Sequence, residues 1–243
     1  SSESPFFLYF LLPKHKFYWK IDCGSDVLTK SIFQKKKGAF AMIQIKTFPM
    51  GSIGTNCYLV YSETTAVLID CDGDPTGLFH FLQEKNLKLS AILLTHGHFD
   101  HIGAVAEVKE KFSCPVYAGA EEAPLLADPA LNYSCFCGAP VTVVPDVLLH
   151  DGETFTIGSL HFQVIFTPGH TQGSVCYLLE DILFSGDTLF QGSCGRTDLP
   201  TGDWQQIRAS LQKLSQISGN KTVYPGHGPA TTLDEERQNN PFF

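Results

Sequence analysis

The sequence predicts a mixed α/β (α+β) fold in which two β-sheets pack face to face between helical layers, a four-layer αββα sandwich. Two observations lead to this prediction. From Met42 onward, short apolar runs rich in β-branched residues alternate with turn residues, as is typical of strands. The pattern also comes in two halves, each of which combines strands with covering helices. Stacking the two halves would bury one face of each sheet and the apolar face of each helix.

The first half opens with three strand patterns, MIQIKTF, NCYLVYS and AVLID, whose short connections predict an antiparallel meander. The segment PTGLFHFLQEKN follows, in which Leu78, Phe79, Phe81 and Leu82 recur at helical spacing. It leads into SAILLT, a continuous apolar run typical of a strand buried on both faces. After a histidine-rich stretch, AVAEVKEKF predicts a helix and CPVYAG predicts another strand.

The second half repeats this scheme. Strand patterns recur in ETFTIGSLHFQVIFT, SVCYLL and DILFSGD, and again in KTVYPGHG near the end of the sequence. Before this last strand, DWQQIRASLQKLSQI predicts a helix that Asp203 caps, with Trp204, Ile207, Leu211 and Leu214 on one face. These periodicities predict the elements but leave the order of strands within each sheet open.

The sequence divides at Met42, its first methionine. We expect residues 1–41 to be an N-terminal extension, either a leader or another added segment, and residues 42–243 to be the folded domain. The extension has an apolar run that ends at Pro13, but no positive charge precedes it and it is shorter than the ~20 residues of a membrane span. We therefore expect neither a signal peptide nor a membrane anchor.

The charge distribution limits the kinds of partner that we expect, and the cysteine content limits the cellular compartment. Residues 1–41 contain seven Lys and three acidic residues, whereas residues 42–243 contain ten Lys or Arg and twenty-two acidic residues. An acidic domain without a basic stripe repels phosphate backbones, so we expect no nucleic-acid partner. The eight cysteines lack a CxxC pair or regular spacing, which favours reduced thiols and a cytoplasmic protein. The oligomeric state stays open.

The stretch LLTHGHFDHIGA places three imidazoles and a carboxylate within six positions: His96, His98, Asp100 and His101. Residues two apart in an extended chain point the same way, so His96 and His98 can converge on one ion. Asp100 and His101 lie where the next helix begins and face the same cavity from another angle. Four ligands this close on one backbone segment cannot easily surround one tetrahedral metal, which suggests two ions.

Three more candidate ligands follow apolar runs at turns that contain glycine: His170 in IFTPGHTQGS, Asp187 in ILFSGDTLF and His227 in VYPGHGPA. Loops at strand ends commonly carry function, and these would emerge at one rim of the sheets. A single histidine after a strand is usually structural. Four loops that each deliver His or Asp to one rim predict a metal centre, and these donors suit zinc, iron or manganese.

The motifs THGHFDH, PGHTQGS, FSGDTLF and YPGHG resemble the ordered motif series of the metallo-β-lactamase superfamily, and the likeness extends over residues 42–243. It implies the sandwich fold of that superfamily and a centre of two divalent ions, with zinc expected and iron or manganese as alternatives. It also implies two ligand sets and a bridging carboxylate: His96, His98 and His170; Asp100, His101 and His227; and Asp187. Asp70 in VLIDCDGD matches an acid that supports such sites from behind the ligands, unless it is only a turn residue.

The residue types at a few ligand positions favour one branch of the superfamily. Zinc β-lactamases commonly carry Cys at the position of Asp187, and flavodiiron oxygen reductases carry Glu at that of His98. RNA-processing members have a large inserted domain and basic surfaces. Aspartate at 187 is the choice of the hydroxyacylglutathione hydrolase, or glyoxalase II, branch. Long enzymes of this branch add a C-terminal helical domain, whereas this sequence resembles the short single-domain members, for which GRTD and EERQNNPF are typical.

The segment GDTLFQGSCGRTD is similar to the glyoxalase II segment in which a basic residue contacts the glutathione carboxylate, and Arg196 takes that place. A guanidinium suits a carboxylate because its planar fork donates two parallel hydrogen bonds. The alternative is that Arg196 pairs with nearby Asp198 and braces the loop. The two roles can coexist.

The resemblance implies a binuclear metal-dependent hydrolase, namely a thioesterase that acts on S-2-hydroxyacylglutathione-type thioesters through a metal-bound hydroxide. Asp100 would be catalytic, because a ligand of the second metal can also orient the hydroxide by accepting its hydrogen bond. A thiol has a pKa of about 8.5, so the leaving group needs little acid assistance. The expected partner is a small-molecule thioester. The alternative is a mononuclear iron persulfide dioxygenase, which shares the fold and a GRTD-like segment.

Overall fold

The structure is a computed structural model, and it describes residues 32–33 and 42–243. Apart from Ile32–Phe33, the expected N-terminal extension lies outside the described residues. Ile32–Phe33 forms a short strand, β1, that pairs antiparallel with the beginning of the next strand. The division of the chain at Met42 stays a prediction.

Within the described residues, the first sheet contains seven strands in sequence order: β1, β2 (Met42–Met50), β3 (Thr55–Ser62), β4 (Thr65–Ile69), β5 (Lys88–Leu93), β6 (Val116–Gly119) and β7 (Val147–Leu149). Strands β2 to β4 are antiparallel, which confirms the predicted meander. From β4 to β7 the strands run parallel, so each connection must cross over the sheet. Helical segments lie in these connections: α1 (Thr76–Glu84), α2 (Phe99–Ile102), α3 (Val105–Phe112), a 3-10 turn (Ala120–Glu122), α4 (Ala123–Leu126) and α5 (Ser134–Cys137).

In the part of the chain that the structure describes, the second sheet contains six strands in the order β15-β14-β11-β10-β9-β8. Their bounds are β8 (Thr154–Ile157), β9 (Leu160–Phe166), β10 (Val175–Leu179), β11 (Ile182–Gly186), β14 (Thr222–Pro225) and β15 (Thr231–Thr232). A separate hairpin consists of β12 (Leu189–Phe190) and β13 (Ser193–Cys194). Helix α6 (Trp204–Ser215) crosses to β14, which runs parallel to β11, and α7 (Leu233–Asn239) follows β15.

Alternate residues of β3 show how the layers form. Leu59 packs in a buried cluster with residues of α1 and α3, whereas its neighbours Tyr58 and Val60 pack in a second cluster with residues of the other sheet, such as Phe162 and Phe184. A third cluster joins the outer face of that sheet to α6. Because strand side chains alternate between faces, one apolar strand can serve two interfaces. The clusters confirm the predicted four-layer αββα sandwich.

Helix α6 has the predicted cap and an apolar face that is buried along most of its length. The Asp203 carboxylate accepts hydrogen bonds from the backbone N–H groups of Gln205 and Gln206, which confirms the predicted cap. Ile207, Leu211 and Leu214 are fully buried as predicted. Trp204, at the start of the same face, is 46% exposed. Its indole packs edge-on against the ring of Phe242.

The structure also bears on the predictions about reduced cysteines and about membrane-spanning segments. Seven of the eight cysteines lie within the described residues, and all seven are free thiols. In the part of the chain that the structure describes, no helix has the length and apolarity needed to cross a membrane.

Candidate metal centre

The seven predicted ligands meet at one rim of the sandwich, where strands of both sheets end. The segment after β5 carries His96 and His98 and continues into α2 with Asp100 and His101. The loops after β9, β11 and β14 carry the other three: His170, Asp187 and His227. Their ligand atoms form three overlapping groups, in each of which the atoms lie within 4.8 Å of one another. The structure therefore brings all seven side chains together, while their binding of metal stays a prediction.

The first group consists of the imidazoles of His96, His98 and His170. His98 Nδ1 lies 2.9 Å from His170 Nε2. His170 Nδ1 donates to the carbonyl oxygen of Arg196 at 2.8 Å, so its Nε2 keeps a lone pair that faces His98. Burial, with the neighbouring imidazoles, lowers the pKa of His98 to about 3. Burial likewise lowers the pKa values of His96 and His170. Neutral imidazoles with converging lone pairs are the form that binds metal.

The second group consists of Asp100, His101 and His227. Asp100 Oδ2 lies 3.3 Å from His101 Nε2 and 3.1 Å from His227 Nε2. Burial alone would raise the pKa of Asp100, but His101 and His227 hold it well below its usual range. Burial alone would also lower the pKa of His101, but Asp100, Asp187 and Asp70 raise it well above its usual value. The second group therefore favours positive charge at His101 Nε2.

Asp187 lies between the two groups. Its Oδ1 is 3.4 Å from His101 Nε2, and its Oδ2 is 3.6 Å both from His170 Nε2 and from His227 Nε2. The backbone of Gly226 approaches closely, since a Cβ added there would stand 2.1 Å from Asp187 Oδ1. This approach explains the first glycine of YPGHG. One carboxylate that faces both groups is placed to bridge two ions.

Unsatisfied buried atoms indicate that a cation fits this centre. Within the described residues, His96 Nε2, His98 Nε2, His101 Nε2 and Asp187 Oδ1 are buried without a hydrogen-bond partner. Such atoms are costly to leave unpaired. His96, His101 and Asp187 also form one of the three groups of converging ligand atoms. Seven donors exceed the four that one tetrahedral ion uses, and imidazole with carboxylate is compatible with zinc, iron and manganese.

Asp70 lies directly behind the second group. Its Oδ2 accepts from His101 Nδ1 at 2.9 Å and from Thr95 Oγ1 at 2.7 Å, and its Oδ1 accepts from the Thr95 backbone N–H at 2.8 Å. The bond to Nδ1 turns His101 Nε2 toward the metal ligands. Asp70 also has a positive φ of 56° just after β4, so the turn role and the support role coincide.

Three supporting residues were missed by sequence reasoning. Thr55 Oγ1 donates to Asp100 Oδ2 at 3.0 Å. The Asn56 side-chain amide donates to the carbonyl oxygens of Pro225 and Gly228, on both sides of His227. These two residues resemble ordinary turn residues in the sequence. The third, Glu122, is a fully buried acid shortly after β6, and its polar position after an apolar strand could have drawn attention to it.

The backbone carbonyl oxygen of Arg196 lies beside the first group, because it accepts the hydrogen bond from His170 Nδ1. Its guanidinium donates to both carboxylate oxygens of Asp198, at 2.6 and 2.7 Å, and the Arg196 side chain is 62% exposed. This ion pair lowers the pKa of Asp198 to about 2. The pairing corresponds to the loop-bracing alternative, and the predicted contact between Arg196 and substrate stays a prediction.

Comparison with known proteins agrees with this geometry. The family model described as the metallo-beta-lactamase superfamily matches residues 50–227. A probable metallo-hydrolase of Bacillus subtilis (strain 168), YqgX, is 41% identical over 203 residues, which cover 82% of this chain and 96% of YqgX. The hydroxyacylglutathione hydrolase GloC of Haemophilus influenzae is 32% identical over 208 residues, which cover 83% of this chain and 98% of GloC.

Several solved structures are similar to this chain in both sequence and fold. The structure of BLEG-1, described as a B3 metallo-beta-lactamase, is 46% identical with a TM-score of 0.77 and covers 82% of this chain and 98% of its own. TTHA1623 in a di-iron-bound form is 39% identical with a TM-score of 0.74 and covers 82% and 100%. ETHE1 from Myxococcus xanthus is 32% identical with a TM-score of 0.66 and covers 81% and 83%. The chain therefore belongs to the metallo-β-lactamase superfamily, whose members are mostly metal-dependent hydrolases.

Proposed function

We propose that this chain is a binuclear metal-dependent thioesterase that hydrolyses S-2-hydroxyacylglutathione-type thioesters. The observation that carries the proposal is the pair of ligand sets with the Asp187 carboxylate between them. The similarity to the hydroxyacylglutathione hydrolase GloC supports the substrate class. The similarity to the di-iron-bound form of TTHA1623 supports a centre of two ions. We propose zinc as the metal, with iron or manganese as alternatives.

The protein side chains hold and orient the reactants. When bound, two divalent ions would supply a water that ionises near neutral pH and an electrophile for the thioester carbonyl. His96, His98 and His170 offer neutral nitrogen lone pairs, and His101 is fixed by Asp70. Asp100 Oδ2, kept ionised by its imidazole neighbours, would accept a hydrogen bond from the attacking water and orient it. A thiolate leaves without a general acid, because thiols have a pKa of about 8.5.

The proposed partners are small molecules. The acidic residues outnumber the basic ones by more than two to one over residues 42–243, so we propose neither a nucleic-acid nor a membrane partner. The seven free thiols of the described residues support a cytoplasmic location, where thiols stay reduced.

One observation favours a second candidate, a mononuclear iron persulfide dioxygenase. His96, His101 and Asp187 form a group of two imidazoles and one carboxylate, the donor set of many non-haem iron oxygenases. The GRTD segment at residues 195–198 also resembles that class. The remaining four donors favour the two-ion centre over this alternative.

A panel of substrates and metals tests the proposal. Protein purified without chelator would be loaded separately with zinc, iron(II) and manganese. The hydrolysis of S-lactoylglutathione, of an uncharged thioester and of a cephalosporin would be assayed with each form. Oxygen uptake with glutathione persulfide would be measured separately with an oxygen electrode. We expect the highest kcat/KM on S-lactoylglutathione, no oxygen uptake, and loss of activity in Asp187→Ala. Oxygen uptake with one iron per chain would support the dioxygenase instead. A preference for the cephalosporin would support a lactamase activity like that named for BLEG-1.

A further inference from the structure

We propose that Glu122 is a positioning residue that holds the first ligand set, His96, His98 and His170, and does so selectively over the second set. The inference deepens the proposed function: it rests on the two-ion centre but not on the thioester substrate. Glu122 itself contacts the loops that carry the three imidazoles and makes no hydrogen bond to the imidazoles.

The Glu122 carboxylate joins two loops that are distant in sequence. Its Oε1 accepts from the backbone N–H of Gly97 at 2.7 Å, and Gly97 lies between His96 and His98. Its Oε2 accepts from the backbone N–H of Gly173 at 2.8 Å and from Thr171 Oγ1 at 3.0 Å, just after His170. One side chain therefore fixes both segments that supply the first ligand set.

The chemistry of the contact requires a carboxylate. Two N–H groups and one hydroxyl donate to Glu122, and an ionised carboxylate is the side chain that offers two acceptor oxygens and no donor. Burial raises the pKa of Glu122 to about 7, and within the described residues these three donors, rather than a cationic side chain, counter that rise. Burying a carboxylate without a cation is costly. A packing role alone would be filled at lower cost by an apolar residue, so the carboxylate indicates a need for the three bonds.

Close backbone contacts strengthen this link. A Cβ added at Gly173 would lie 2.1 Å from the Glu122 backbone nitrogen, and one at Gly97 would lie 2.7 Å from the side chains of Leu125 and Leu126. The segment 122–126 therefore packs directly against both loops. At Gly173 the contact is with backbone atoms, so only glycine fits there, whereas at Gly97 it is with the ends of two leucine side chains. The backbone contact accounts for the glycine in HTQG, which the ligands themselves do not explain.

The second ligand set has separate supports. Asp100 accepts from Thr55, His101 donates to Asp70, and the His227 loop is held by Asn56. Loss of Glu122 should therefore weaken the first set while leaving the second set in place. Substitution of residues that orient metal ligands typically weakens metal binding roughly tenfold to a hundredfold.

The test is Glu122→Gln. The amide keeps the volume but replaces one acceptor oxygen with an NH₂ group, which must face a donor of one of the two loops. Metal-free protein would be titrated with Zn²⁺ against a chromophoric chelator, and with Co²⁺ followed by absorption. We expect one ion to bind as in the wild type and the other to bind roughly tenfold to a hundredfold more weakly. The Co²⁺ spectrum should match that of His98→Ala rather than His227→Ala.

Glu236→Gln is the matched control. Glu236 is also a buried acid, at 1% exposure, and it accepts from three donors: Thr231 Oγ1, the Gly192 backbone N–H and the Asn240 side chain. None of these donors is on the loops of the first set. Glu236→Gln should lower the melting temperature yet bind two ions with wild-type affinities. Equal weakening of both ions in Glu122→Gln, or loss of the first ion in Glu236→Gln, would overturn the proposal.

A milder variant covers the case in which Glu122→Gln does not fold. Thr171→Val removes the hydroxyl donor alone, so it should weaken the first ion selectively but to a smaller extent. Unchanged affinity for that ion, or equal weakening of both, would overturn the proposal. If the wild type itself binds a single ion, the binuclear proposal fails. Wild-type binding of two ions without selectivity in the variants defeats only the role of Glu122.

Discussion

Asp187 and Asp100 are both carboxylates of the centre, but their surroundings differ. Asp187 faces imidazoles of both ligand sets, at 3.4 Å from His101 Nε2 and 3.6 Å from His170 Nε2. Asp100 lies against His101 and His227, which belong to the second set alone. The two side chains therefore allow the bridging role to be separated from an ordinary ligand role.

We expect Asp187→Ala to lose more metal and more activity than Asp100→Asn. Removing Asp187 takes a charged ligand from both ions, whereas an asparagine at 100 keeps an oxygen that can still coordinate weakly. Metal content per chain and turnover, measured on the same preparations, check this prediction. Wild-type metal content and activity in Asp187→Ala would show that Asp187 does not bridge.

The Arg196 guanidinium can be tested against its ion-pair partner. If Arg196 binds the substrate carboxylate equally in the ground and transition states, Arg196→Ala should raise KM for an anionic thioester with little change in kcat. The loss corresponds to roughly 1.5–3 kcal/mol, or about tenfold to a hundredfold. Asp198→Ala, which frees the guanidinium, should leave KM unchanged or lower. If Arg196 only braces its loop, both variants should lose metal or thermal stability and act alike on anionic and uncharged thioesters.

At the scale of residues, the convergence of the seven candidate ligands was predictable and their hydrogen-bond partners were not. His and Asp at strand ends are visible in a sequence because their chemistry is rare at such positions. The contact between Thr55 and Asp100 joins residues 45 positions apart, and the contacts of Glu122 join three segments that only the fold brings together. Thr55 does not differ locally from a residue of a solvated turn, and the acids of AGAEEA offer only the weak signal of a polar residue after an apolar strand.

At the scale of elements, the N-terminus of α6 is stabilised by a side-chain cap next to the candidate metal centre. The Asp203 side chain caps two N–H groups, and its own backbone N–H donates to the carbonyl oxygen of Gly169, next to the ligand His170. Gly169 approaches α6 so closely that a Cβ there would stand 2.2 Å from the Ile207 nitrogen. The cap therefore stabilises the helix at the point where it contacts a ligand loop.

We expect Asp203→Ala to lower the free energy of unfolding by about 1 kcal/mol, within a range of roughly 0.5–2 kcal/mol. Asp203→Asn should keep most of this stability, because asparagine is as good a cap. Urea unfolding at saturating metal would measure both variants. Equal losses in the alanine and asparagine variants would show that charge rather than capping is responsible.

Elements with a long periodic pattern were predicted well, and short ones were missed. Strands β2 to β6 and the longer helices follow from alternation or helical spacing. Strand β7 has three residues and helices α4 and α5 have four each, too few for a periodic signal. Helices this short are stabilised by their neighbours rather than by intrinsic propensity. The parallel pairing of β11 with β14 likewise depends on tertiary packing.

Helix α7 links the C-terminal motif EERQNNPF to the β12–β13 hairpin. Glu236 accepts from the Gly192 N–H at the turn of the hairpin, and the Asn240 side chain donates to the carbonyl oxygen of Ser193 at 3.0 Å. The GRTD segment, residues 195–198, follows the hairpin directly. This chain of contacts gives a physical reason for GRTD and EERQNNPF to occur together.

At the scale of the whole molecule, the centre joins the two sheets. The first sheet supplies four ligands through the segment after β5, and the second sheet supplies three through the loops after β9, β11 and β14. Each ligand set contains residues from both sheets. Ions bound there would cross-link the two halves of the sandwich at one rim, in addition to the apolar cluster between the sheets.

Removing the metal should therefore destabilise the whole fold rather than one loop. Binding at a free metal concentration a thousand times Kd contributes about 4 kcal/mol per site. A domain of this size gains roughly 2–4 °C in melting temperature per kcal/mol, so chelation should lower Tm by about 8–16 °C for each ion removed. Calorimetry on chelated, dialysed and zinc-reloaded protein would measure the change, with elemental analysis to verify two ions per chain.

Two variants make this measurement specific to the centre. His80→Ala removes an exposed imidazole on α1 and should respond to chelation like the wild type. Asp187→Ala should show little response, because without its carboxylate the two sets share no ligand and hold their ions weakly. An unchanged wild-type Tm after verified removal of both ions would show that the sheet-to-sheet packing holds the sandwich together without the metal.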